Sequence, residues 1–115
     1  MHKQIFNNVG AQDSAWIVKE YFNAIYLQGR FLWALPLLID KRGCVVNEVY
    51  CLFPDPSDPD PACHFEGVMF GIADDETIVT EEACSIYIKE ACKNYLGLHP
   101  RDEGQIREIL GSSPL

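Results

Sequence analysis

Apolar positions recur at helical spacing through Val18, Tyr21, Phe22 and Ile25. Ile17, Ala24 and Leu27 widen that stripe, and Lys19, Glu20 and Asn23 take the other side. Asp13 or Ser14 can cap the helix, and Gly29 is a natural stop. Trp16 and Tyr26 belong to its core or flank, and residues 7–12 before it predict a loop. Residues 31–40 are almost wholly apolar but contain Pro36, which removes a backbone donor and restrains the residue before it. They predict a short or kinked helix ending at Lys41-Arg42-Gly43, with a buried strand as the alternative.

The pattern then changes. Residues 44–53, rich in Val, Tyr and Phe, predict a first strand, residues 64–72 a second and residues 77–79 a short third. Gly67 and Gly71 fall on the same side of the second strand as Phe65 and Met69, so one face is notched. Residues 73–76 predict a turn, and the close spacing favours an antiparallel hairpin. Between the first two strands, Pro54-Asp55-Pro56-Ser57-Asp58-Pro59-Asp60-Pro61 lacks four backbone donors and predicts an exposed, stiff, acidic loop. Thr80 can cap the next helix, with Glu81 and Glu82 in its first turn, where negative charge suits the helix dipole. Cys84, Tyr87, Ile88, Ala91, Tyr95 and Leu98 make its apolar face, opposite Lys89, Lys93 and Asn94. Pro100 stops that helix or opens a final one, in which Ile106, Ile109 and Leu110 form a small apolar face. Helices, a three-stranded antiparallel meander and helices again predict an α+β layer arrangement in a single domain spanning residues 1–115.

Composition narrows the class. With 48% hydrophobic and 23% charged residues, the 115-residue chain can bury a core and does not have the make-up of a disordered segment. No apolar run approaches the roughly 20 residues that span a bilayer, and the N-terminus lacks the apolar core of a signal peptide, so a cytoplasmic location is expected. Five cysteines agree: the number is odd and no C-x-x-C pair occurs. Reduced, mostly buried thiols are therefore expected rather than a disulfide or metal framework.

Charge changes the picture more. From Gly43 to Ile88 there is no Lys or Arg, but there are ten acids. That segment carries −10, the remainder +2, and the whole chain −8. Such a field repels nucleic-acid phosphates and anionic membranes and suits a basic protein partner. Asp55, Asp58 and Asp60 of the prolyl loop, Glu66, and Asp74, Asp75 and Glu76 of the predicted turn are the candidate contact residues. A stiff loop loses little entropy on binding, and charge speeds association by roughly 10–10³-fold at low salt.

Catalytic chemistry is harder to place. Cys63 and His64 are neighbours, but adjacent side chains on a strand point to opposite faces. His64 and Glu66 share a face and could form an acid–base pair on the glycine-notched strand, the basis of an alternative reading as a small enzyme or ligand-binding module. His2 and His99 lack a supporting cluster, and no nucleophile elbow, phosphate loop or dinucleotide fingerprint occurs. Proline flanks every acid of the prolyl loop, so it does not match a calcium loop, and neither metal nor cofactor is expected.

Several stretches resemble a known family. They are Phe65-Glu66-Gly67-Val68-Met69-Phe70-Gly71, Glu76-Thr77-Ile78-Val79-Thr80-Glu81-Glu82, and the helix with Tyr87, Cys92 and Tyr95 ending in His99-Pro100. With Val18-Lys19-Glu20-Tyr21-Phe22 and Gly29-Arg30-Phe31-Leu32, the chain is similar to immunity proteins of bacterial contact-dependent growth inhibition systems, those that neutralise ribonuclease toxins. The resemblance covers roughly residues 16–110. It implies a cytoplasmic, non-enzymatic protein that binds the C-terminal nuclease domain of a cognate toxin and blocks its active site. Interface residues differ between such proteins, so the acids named above come from charge and expected exposure alone.

Overall fold

The computed structural model describes residues 5–6, 15–61 and 64–111. Two helices come first, α1 (Trp16–Leu27) and α2 (Phe31–Ile39). Four strands follow, β1 (Cys44–Val46), β2 (Val49–Leu52), β3 (Val68–Ile72) and β4 (Asp75–Val79). The long α3 (Glu81–Leu98) leads through a 3-10 turn at Pro100–Asp102 into α4 (Glu103–Gly111). The strands form one antiparallel meander in the order β1-β2-β3-β4.

The sheet thus has four strands, not the three expected. Asn47 adopts a left-handed φ of 54°, and Val46 pairs with Val49 across a two-residue turn, so residues 44–53 fold back on themselves. Asn tolerates that region better than other non-glycine residues. The second expected strand starts late, at Val68, because Gly67 sits at φ 95° and a Cβ there would lie 2.3 Å from the Val79 carbonyl oxygen. The expected turn at residues 73–76 contracts to Ala73-Asp74, and Asp75 and Glu76 join β4. A hydrogen bond of 2.9 Å from the Ala73 N–H to the Glu48 carbonyl holds the two hairpin turns together.

Both early helices end alike. Gly29, at φ 71°, follows α1, and Arg30 N–H donates to the Ile25 carbonyl at 2.8 Å. Lys41 plays the glycine's part after α2, at φ 58°, with Arg42 N–H donating to the Leu37 carbonyl at 2.8 Å. Pro36 lies inside α2 without breaking it. Thr80 caps α3, its hydroxyl accepting from Ala83 N–H at 3.0 Å. Ala15 holds the cap position of α1 with no side-chain bond; Asp13, Ser14 and residues 7–12 lie outside the described residues.

The core lies between α1 and one face of the sheet. Tyr21 and Phe22 of α1 meet Phe70 of β3 with ring centroids 5.2 and 6.1 Å apart, and all three are fully buried. Each such ring stabilises by about 1.5–3 kcal/mol on burial. Asn23 is buried, not on the solvent side. Its Oδ1 accepts from Phe6 N–H at 2.8 Å, and its amide donates to the Phe6 carbonyl at 2.9 Å, pinning residues 5–6 onto the helix. Behind α1, Tyr95 of α3 stacks between Phe31 (4.5 Å) and His99 (4.7 Å), and its hydroxyl donates to Asp102 at 2.6 Å. Tyr26 closes the group with a 2.6 Å hydrogen bond to His99 Nε2. The aromatic positions at the end of α3 thus tie α1, α2 and the 3-10 turn together. None of the described helices is long and apolar enough to cross a membrane.

Candidate functional site

The structure distributes the acids of the central segment over two ends of the sheet. At one end the turns of both hairpins bring Glu48 beside Asp74, with Asp75 and Glu76 next on β4; all four are exposed. At the other end the prolyl loop leaves β2, and Glu66 precedes β3. Five residues of β3 lie between, so about 13 Å separates the ends.

The prolyl loop is built by its own acids. Asp55 Oδ1 accepts from Ser57 Oγ at 2.5 Å and Ser57 N–H at 3.1 Å, and Asp58 Oδ1 accepts from Asp60 N–H at 2.9 Å. Such side-chain turns are what Asp supplies where proline has removed backbone donors. The Ser57 hydroxyl, then its N–H, hold the Asp55 carboxyl below the usual carboxylate range. His64 Nε2 donates to the Asp58 carbonyl at 2.5 Å, closing the loop back on itself. Asp55 and Asp60 are exposed and Asp58 is half-buried.

Glu76 is held as well. Tyr50 on β2 reaches across Gly71 of β3, and its hydroxyl donates to Glu76 Oε2 at 2.5 Å. That bond is the main reason the Tyr50 pKa rises above its ordinary value. A Cβ at Gly71 would fall 2.0 Å from the Tyr50 ring. The notch expected at Gly71 is therefore filled by a side chain of the protein itself.

The features behind the enzyme alternative are only partly assembled. His64 and Glu66 lie before β3 rather than on it. Together with Pro54, Pro56, Phe65, Gly67 and Glu81 they line a shallow pocket of about 350 Å³. His64 spends Nε2–H on the Asp58 carbonyl, and Cys63 lies outside the described residues, as does His2. Four thiols, Cys44, Cys51, Cys84 and Cys92, are free and buried. Burial pushes the Cys92 thiol up to about 11; burial, followed by the Glu81 charge, pushes Cys84 up to about 12. These are poor nucleophiles at neutral pH. Among the described residues no group of three or more His, Cys, Asp or Glu is placed to hold a metal ion.

Sequence reasoning missed two exposed groups. Trp33 on α2 is half exposed, with the Arg30 guanidinium carbon 5.7 Å from its ring centroid, and the pair lines a depression with Val45 at the β1 edge. Ile78 on β4 is 47% exposed. Alternation along the strands is the available signal for both; reading residues 44–53 as one strand obscures it for Val45, and Ile78 stands in a predicted strand of only three residues.

Comparison with curated proteins returned no match. Among solved structures, this chain is similar to an immunity protein, NMB0503, from Neisseria meningitidis MC58, with a TM-score of 0.75 over 95% of this chain and 97% of that one. The two share 18% sequence identity, so the likeness is one of fold. The family model described as CdiI_4, CDI immunity protein, matches residues 14–110, from just before α1 to the penultimate residue of α4, and the chain belongs to that family.

Proposed function

We propose that this protein is the immunity partner of a contact-dependent growth inhibition toxin, and that it neutralises the toxin's C-terminal nuclease domain, a ribonuclease, in the cytoplasm. It acts by binding and not by turnover, with its acidic surface set against the basic region where the nuclease holds RNA phosphates. The observation that carries this reading is the segregation of charge in a member of this family: ten acids and no base from Gly43 to Ile88. A nuclease needs positive charge at its substrate cleft, and a fixed field of opposite sign both steers the encounter and excludes RNA. Asp55, Asp58, Asp60, Glu66, Asp74, Asp75 and Glu76 are the proposed contacts, and no nucleic acid, membrane or cofactor takes part.

The test is a nuclease assay with the purified C-terminal domain of the product of the adjacent upstream gene, the candidate toxin. Adding this protein at one equivalent should abolish RNA cleavage, with complex formation seen by size-exclusion chromatography. Cleavage that continues at several equivalents would refute the proposal.

A further inference from the structure

Alternation along the strands leaves the outer face of the sheet apolar. Register places Leu52, Met69 and Ile78 in one transverse row, and Val45, Tyr50, Gly71 and Glu76 in the next. These positions alternate with Cys44, Val46, Val49, Cys51, Val68 and Phe70, which face the helices and are buried, so they point away from the core. Val45 is 61% and Ile78 47% exposed, and Tyr50, Leu52 and Met69 are half-buried. The open face of an antiparallel sheet ordinarily carries polar side chains. Here Glu76 is the single charged residue in the two rows. A contiguous exposed apolar surface of this kind marks a partner site.

Charge decides which partner. Asp74 lies close enough to Tyr50 to act on its hydroxyl, Glu48 sits in the neighbouring hairpin turn, Asp75 opens β4, and Glu66 stands beyond the other end of β3. A second copy of the chain docking face to face sets each patch against itself, which would bring these acids together without counter-charges. A basic protein with an apolar patch of its own meets the centre with apolar surface and the rim with lysines and arginines. Tyr50 is the natural anchor. Its ring is packed on Gly71 and its hydroxyl tied to Glu76, so little side-chain entropy remains to be lost.

We infer that the open sheet face, centred on Tyr50, Met69 and Ile78, is the docking surface for the basic toxin domain, and that the acids serve as its rim. This rests on the immunity reading above. Affinity then resides in the apolar rows and association rate in the rim.

The experiment is a biosensor titration of the purified C-terminal domain of the upstream-encoded toxin over wild-type protein, a Met69→Gln/Ile78→Thr double variant and Lys93→Gln, an exposed position on α3. Each protein is first checked for its thermal midpoint, and wild type alone is sedimented. The double variant should bind about 30-fold more weakly or worse, chiefly through faster dissociation, with Lys93→Gln within about twofold of wild type. Binding of the double variant within about threefold of wild type would sink the inference and leave the immunity function standing. Failure of wild type to bind removes both. A wild-type dimer that the double variant converts to monomer assigns the face to a second copy and overturns the proposal. If the double variant does not fold, Val45→Thr and Tyr50→Ser are read by the same criteria.

Discussion

Two side chains with polar groups, two positions apart in α1, make opposite demands on the core. Asn23 is buried with its donors and acceptor used, and it completes the N–H and C=O of Phe6. Asn23→Ala should cost about 2–3 kcal/mol, because two backbone groups are left buried and unpaired. The Tyr21 hydroxyl, by contrast, is buried without a hydrogen-bonding oxygen or nitrogen and sits among the thiols of Cys44, Cys51 and Cys84. Tyr21→Phe should be neutral or stabilising by up to about 1 kcal/mol, since it removes an unpaired group and keeps the ring contacts with Phe22 and Phe70. Urea denaturation of both variants separates the two cases; equal losses would refute the contrast.

The same burial predicts a pH dependence. Cys84 titrates at its ordinary value of 9.0 when unfolded and is pushed up to about 12 when folded. Between those values the unfolded chain has released the proton and the folded chain has not, so stability falls as pH rises. Cys51, Cys92 and Tyr21 are raised in the same direction. Urea midpoints should therefore fall from pH 9 toward 11, and Cys84→Ala should flatten the fall. A midpoint constant across that range would show that these groups are not desolvated in solution.

At the scale of elements, the ends of helices and hairpins carry the strain. Lys41, Asn47 and Ala73 hold positive φ without being glycine. Lys41 and Arg42 close α2 by the same pair of backbone hydrogen bonds that Gly29 and Arg30 make after α1. Its side chain adds an ion pair to Glu81 at 3.6 Å, more than half exposed on both sides, which contributes little. Lys41→Gly should accordingly raise stability by about 0.5–1 kcal/mol through relief of left-handed strain, partly offset by a freer unfolded chain. A lower thermal midpoint for that variant would mean that the ion pair outweighs the strain.

Across the whole molecule the two acidic ends act as separate groups. Asp55→Asn/Asp58→Asn/Asp60→Asn keeps the side-chain oxygens that build the prolyl loop and removes only charge. Asp74→Asn/Asp75→Asn/Glu76→Gln does the same at the hairpin end and leaves an acceptor for Tyr50. Neither should change the urea midpoint appreciably, because exposed charges contribute little and self-repulsion is relieved. Both should slow association with the toxin domain and flatten its salt dependence, since screening at 0.15 M acts beyond about 8 Å. The hairpin end should show the larger effect, because it borders Tyr50. Stopped-flow rates at two salt concentrations decide this; rates unchanged in both variants would reduce the acids to a solubility device.

Helical stripes, the helix stop at Gly29, the cap at Thr80 and the confinement of acid to one segment are local properties, and the sequence by itself determined them. Spacing of 3.6 residues, a left-handed glycine and a hydroxyl three residues before an N–H are set within a few residues. The division of residues 44–53 into two strands escaped that reading, because Asn47-Glu48 is a weak turn signal until Val46 and Val49 are paired. Helical spacing alone assigns Asn23 to the solvent side, because its partner, Phe6, is 17 residues away. Filling of the Gly71 notch by Tyr50 depends on which strand lies alongside, and the sorting of acids to opposite ends depends on where the meander turns. Register and packing between distant segments decide these matters, and they follow from the free energy of the assembled sheet and helices, which no short window of sequence contains.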